Sequence, residues 1–161
     1  MDTAVIRRWW RENRRDLPWR DPSTPAWQVL VSEVMLQQTP VARVIPAWEA
    51  WVDRWPDAKA LAGASLGEVL SQWDRLGYPR RAKNLYQTAI IVTRDHGGVL
   101  PQDVEALEKL PGIGRYTARA VACFAHGQPV PVVDTNVARV VARHSDGDAA
   151  AGHWSARYGL E

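Results

Sequence analysis

An all-α fold is predicted by three features of the sequence. Apolar residues recur at three- and four-residue spacing in nearly every segment, no clear strand pair alternates, and proline or glycine punctuates the periodic stretches. Hydrophobic residues make up 46% of the 161, enough apolar surface for one sizeable core. Charged residues make up 24%, and 20 Lys and Arg against 18 Asp and Glu leave a net charge of only +2. That balance excludes general disorder and a grossly cationic packaging protein. No apolar run approaches the roughly 18 residues of a membrane span. Met1-Asp2-Thr3-Ala4 opens no secretory signal. A single cysteine, Cys123, excludes an internal disulfide and a multi-thiolate metal site, so a reducing cytoplasm is the expected compartment.

The elements follow in order. Val5, Ile6, Trp9, Trp10 and Asn13 share one helical face, with arginines on the other. Residues 16–26 hold Pro18, Pro22 and Pro25 and read as a loop. Residues 27–38 are apolar nearly all round, the mark of a buried helix. Thr39-Pro40 offers an N-cap and a first-turn proline to the next helix, which carries Val41, Val44, Ile45, Trp48, Trp51 and Val52. A kink is expected at Pro46. Ser65 and Glu68 stand at capping-box spacing and open a helix through Val69, Leu70 and Trp73 that stops near Gly77. Residues 80–96 form a longer amphipathic helix ended by Gly97-Gly98, and 103–110 and 116–125 form short ones. From Asp134 onward Val137, Val140 and Val141 line one side of the last helix. Beyond Arg143 small residues and glycines read as a frayed tail.

Three stretches carry the chemistry. Leu110-Pro111-Gly112-Ile113-Gly114-Arg115 lies between two short helices. Such a turn bares backbone N–H groups beside a helix N-terminus and suits one phosphate without reading any base. Basic clusters at Arg7, Arg8, Arg11, Arg14 and Arg15, at Arg80, Arg81 and Lys83, and at Arg139 and Arg143 are compatible with phosphate contact or with plain solvation. Glu33 sits inside the apolar VLVSEVML segment. Either it faces water, or burial raises its pKa and it delivers a proton near neutral pH. Asp134 precedes a helix and reads first as an N-cap, where N–H groups favour the anion. An acid paired with an anionic stabiliser is the arrangement that breaks glycosidic bonds through an oxocarbenium-like state.

The Leu-Pro-Gly-x-Gly turn resembles that of helix-hairpin-helix DNA-repair glycosylases. Together LPWR (17–20), SEVMLQQT (32–39), LGYPRRAKNL (76–85), LPGIGRYTARAV (110–121) and VVDTNVARVVAR (132–143) resemble the adenine-specific mismatch DNA glycosylases of the MutY type. The resemblance runs nearly to Arg143. It implies a helix-hairpin-helix glycosylase fold: residues 27–133 as a six-helix-barrel domain with the hairpin at about 103–126. Residues 1–26 and 134–145 then belong to an incomplete second helical domain, and 146–161 form a tail. It further implies that Glu33 protonates adenine and later helps activate water, that Asp134 stabilises the sugar cation, and that Asn136 assists. Arg20 would line the adenine pocket, and Gln38 and Tyr78 would wedge into the duplex, with Gln37, Thr39, Arg81, Gly112, Gly114 and Arg115 along the DNA. Extruding a base costs a few kcal/mol of stacking, which gives a wedge its purpose. Tyr116 stands where bifunctional relatives resembling endonuclease III carry a lysine. A tyrosine forms no Schiff base, so base release without an efficient strand-cleaving step is expected.

The chain departs from the family pattern in three ways. Relatives hold a [4Fe–4S] cluster on four cysteines, whereas here Cys123 stands alone and no cofactor is expected. The resemblance also leaves without a counterpart the helices that would cover the N-terminal helix and the domain that reads 8-oxoguanine. Val5, Ile6, Trp9 and Trp10 are therefore expected to form an exposed apolar patch. Pro79 replaces the second tyrosine of the LGYY segment. The expected partner is duplex DNA with adenine opposite 8-oxoguanine or guanine, bound by a monomer. Two other functions stay open: a thymine-mismatch glycosylase of the same superfamily, and a catalytically silent DNA-binding remnant.

Overall fold

The computed structural model describes residues 2–146, which are helical with no strand among them. No helix among the described residues is long and apolar enough to cross a membrane. The chain divides into two compact units. One is Leu17–Pro131; among the described residues the other joins 2–16 to 132–146.

The larger unit is built around α2 (Ala26–Leu36), whose Val29, Leu30, Val31, Ser32, Val34 and Met35 are all buried. Its composition explains its place: an element apolar all round is stable only when covered. The cover comes from α3 (Val41–Arg54), α6 (Arg80–Asp95), α8 (Arg115–Phe124) and a 3-10 turn at Pro18–Arg20. The loop expected at 16–26 contains that turn because Trp19 is buried edge-on against Trp48, with ring centroids 5.7 Å apart. The helix α3 continues through Pro46. Two further helices, α4 (Ala58–Ala62) and α5 (Leu66–Trp73), lie against α6. The capping box of α5 forms as expected, Ser65 Oγ accepting from the Glu68 amide and Glu68 from the Ser65 amide. The α4 helix has no counterpart in the periodicity; it is five residues long and starts from Asp57, whose carboxylate accepts from the Ala60 amide. Tryptophan fills the middle of this core. Trp51 is fully buried and meets Trp55 and Trp73 edge to face at 4.8 and 5.5 Å. Each such pair adds about 0.5–1.5 kcal/mol beyond its burial. The short helix α7 (Val104–Glu108), capped by Asp103, leads through the 109–114 turn into α8.

In the smaller unit, α1 (Thr3–Asn13) is capped by Asp2 and buries none of its residues. Val5, Ile6, Trp9 and Trp10 are exposed, as the sequence reading expects. The last helix, α9 (Thr135–Asp146), buries Ala138 and Ala142 against Val133 while Val137, Val140 and Val141 face outward. The tail expected at 146–161 lies, from residue 147 on, outside the described residues.

Candidate active site

Glu33 lies near the C-terminal end of α2, with Ser32 and Val34 buried on either side and its own side chain only partly open. Removal from water pushes its carboxyl up to about 7 from an ordinary 4.5, and the positive charge of Arg20 opposes that rise. Arg20 ends the 3-10 turn that packs on α2, so the same contact that buries Trp19 brings this cation toward Glu33. An acid that still holds its proton near neutrality is what general acid catalysis requires.

Beyond Glu33 the α2 helix ends in a strained turn. Gln38, exposed, adopts a left-handed backbone with φ 57°. Tyr78, 62% exposed, does the same with φ 50°, directly after Gly77 at φ 73°. A side-chain-bearing residue in this region costs about 1–2 kcal/mol, so the surroundings must hold both in place. Arg81 does much of that holding. One terminal nitrogen of its guanidinium donates to the carbonyls of Val34 and Met35 at 3.1 Å each and to that of Gln37. The other donates to Thr39 Oγ1 at 3.1 Å, Leu76 O at 2.8 Å and Gly77 O at 3.1 Å. Arg81 is thus turned inward to carbonyls left unpaired at the end of α2 and in the turn after α5. The N-cap expected at Thr39 is corrected. Thr39 is buried and its hydroxyl belongs to the same network; the N-cap of α3 is Pro40, with no side-chain bond. Gln37 is partly buried, and its amide donates to Thr117 Oγ1 on α8 at 3.4 Å.

The hairpin turn is built on Gly112, whose φ of 75° and proximity to α6 both require glycine. A β-carbon there would lie 2.5 Å from Asn84 Nδ2 and 2.8 Å from its Cβ. Thr88 Oγ1 donates to Pro111 O at 3.1 Å, a second tie from α6 to the turn. Gly114 forms the N-cap of α8 with nothing near its absent side chain, and no side chain caps the first amides of that helix. Arg115 and Tyr116 are exposed in its first turn. In the smaller unit, Asp134 caps α9, its Oδ1 accepting from the Val137 amide at 2.7 Å. Exposed Asn136 donates to Asp134 Oδ2 at 3.3 Å and accepts from Arg139 at 2.6 Å. Asn84, Thr88, Thr117 and Trp73, whose indole donates to Gly77 O at 2.8 Å, are supports that sequence reasoning missed. Of these, only the Asn84 approach left a sequence trace, in the glycine opposite.

Residues 31–152 match the family model described as HhH-GPD superfamily base excision DNA repair protein. The chain belongs to this superfamily. The HhH-GPD chain is similar to the adenine DNA glycosylase of Mycobacterium tuberculosis strain H37Rv, at 60% identity over 94% of this chain and 49% of that protein. It thus spans about half the length of that relative. Among solved structures it is similar to a thermostable thymine-DNA glycosylase, with a TM-score of 0.86 and 28% identity over 98% of this chain and 73% of that one. A non-covalent endonuclease III–DNA complex shares the fold at a TM-score of 0.75 and 24% identity, over 95% and 77% of the two chains. The expected all-α, helix-hairpin-helix glycosylase fold is therefore the fold observed. The resemblance places a [4Fe–4S] cluster on four cysteines, and the 161 residues of the HhH-GPD chain contain one cysteine. Its sole cysteine, Cys123, is half-buried in α8, and among the described residues no three His, Cys, Asp or Glu side chains are grouped to hold a metal.

Proposed function

We propose that the chain is a monofunctional adenine DNA glycosylase acting on duplex DNA, with adenine opposite 8-oxoguanine or guanine as its substrate. The observation that carries this reading is Glu33, an acid set in an apolar helix and titrating at about 7. Its proton passes to a ring nitrogen of the purine as the N-glycosidic bond breaks, and the bonding electrons leave with the base. The sugar takes on oxocarbenium character, which an anionic carboxylate offsets, the role the resemblance gives to Asp134. The Glu33 carboxylate then accepts a proton from the water that adds to the anomeric carbon, giving free adenine and an abasic site. Tyr116 supplies no amine, so no Schiff base forms and the strand stays whole. The bared amides after Gly114 suit a backbone phosphate, and exposed Gln38 and Tyr78 are placed on rigid turns suited to entering a base stack. The 60% identity to an adenine DNA glycosylase supports the choice of base. On this reading the chain acts as a monomer on nucleoid DNA.

The test is incubation of the chain with an 8-oxoguanine·adenine duplex and measurement of free adenine, with Glu33→Gln as control. Release by the unsubstituted chain and loss in the variant is the expected result. Thymine release from a G·T duplex instead would favour the second reading, which the likeness to a thymine-DNA glycosylase supports. Duplex binding without release of either base would reduce the chain to a DNA-binding remnant.

A further inference from the structure

The six oxygens that meet the Arg81 guanidinium come from two separate turns, 34–39 and 76–77. The first contains exposed, left-handed Gln38, and the second runs directly into exposed, left-handed Tyr78. The Arg81 backbone amide adds a bond to the Tyr78 carbonyl at 2.9 Å. Its charge stands at the C-terminal end of α2, where the last carbonyls of a helix favour a cation. Trp73 and Tyr78 cover its faces, with ring centroids 5.3 and 5.5 Å from Cζ. Four N–H bonds shared among six acceptors leave no donor of the two terminal nitrogens for a phosphate.

We infer that Arg81 is a positioning residue that locks the Gln38 and Tyr78 turns into one rigid body, so that the two side chains meet the duplex as a single preformed unit. Its DNA arm rests on the glycosylase reading; its arm in the free protein does not. The planar fork is essential to this role, because it reaches acceptors on two sides at once. A lysine ammonium keeps the charge but cannot span both turns.

Two measurements on the free chain test the clasp itself. The Nη protons of Arg81 are expected to be resolved and slow to exchange by NMR, in contrast with those of exposed Arg115. In Arg81→Lys, backbone amides in both turns are expected to exchange at least about tenfold faster, while those in the middle of α6 do not change. Freely rotating Arg81 Nη groups, or acceleration confined to one turn, would overturn the inference; the NMR measurement needs no variant and stands even if Arg81→Lys fails to fold. The third measurement uses a duplex with 2-aminopurine next to the mismatch. Arg81→Gln, which removes the charge, is expected to bind with an unchanged salt slope but to lose the fluorescence rise that reports unstacking. A slope lower by about one unit, with both turns still protected, would make Arg81 a phosphate contact and sink the clasp. If the unsubstituted chain binds without unstacking the probe, the glycosylase reading falls, and the two free-protein measurements still decide the clasp.

Discussion

Substituting Glu33 by glutamine converts its burial into a measurable pH dependence. The carboxyl rises from 4.5 to about 7 in the folded chain, and desolvation is the cause that outweighs Arg20. At about 1.4 kcal/mol per pKa unit, that rise corresponds to about 3 kcal/mol between the two protonation states. The sign follows from proton counting. Between pH 4.5 and about 7 the unfolded chain has released this proton while the folded chain keeps it. The contribution of Glu33 to stability is thus fully present below 4.5 and is lost as the pH climbs through about 7. Glutamine keeps the size and cannot titrate. The unfolding free energy of Glu33→Gln minus that of the unsubstituted chain should therefore grow by about 3 kcal/mol from about pH 4 to about pH 8. Urea titrations at several pH values, read by tryptophan emission, measure that difference, and any pH-independent offset from packing cancels in the slope. A flat difference would place Glu33 in water with an ordinary carboxyl, and the proton-transfer scheme would have no acid.

Three further outcomes follow from the same geometry. Removing the opposing charge with Arg20→Gln should lift the Glu33 pKa above about 7, moving the alkaline fall of the single-turnover rate to higher pH; an unmoved limb would mean the two groups are not coupled. Gly112→Ala forces a side chain into the left-handed region and against Asn84, so it should lower stability by about 1–3 kcal/mol, read by thermal melting, and weaken duplex binding. Tyr116→Lys places an amine on the exposed first turn of α8 and should introduce strand nicking or a borohydride-trapped adduct, visible on a denaturing gel. A trapped adduct with the unsubstituted chain would contradict the monofunctional reading.

Much of this was legible in the sequence, and for physical reasons. A carboxylate in VLVSEVML stands out because burial penalises charge, and the structure places Glu33 where that penalty operates. The Ser65–Glu68 box and the Gly97-Gly98 stop are local codes, satisfied by neighbours in the chain, so they read correctly. The Arg81 clasp was not legible. Sequence shows that an arginine is present but not which carbonyls will lie unpaired beside it. Gln38 and Tyr78 likewise carry no sign of their backbone, since glycine is the usual marker of a left-handed position. Thr39 looked like an N-cap because Thr-Pro commonly opens a helix, yet its hydroxyl is captured by Arg81 and Leu76 from across the fold. α4 is too short for periodicity to register.

Among the described residues, the distribution of indole rings gives the two units separate optical identities. Trp9 and Trp10 are open to solvent on α1, whereas Trp19, Trp27, Trp48, Trp51, Trp55 and Trp73 are sealed within the larger unit. Acrylamide should quench the first pair while sparing the second group, and the edge-on Trp51, Trp55 and Trp73 should give a strong near-ultraviolet dichroism that vanishes only when their own unit melts. Heating one unlabelled sample would then reveal whether the chain comes apart in one stage or two.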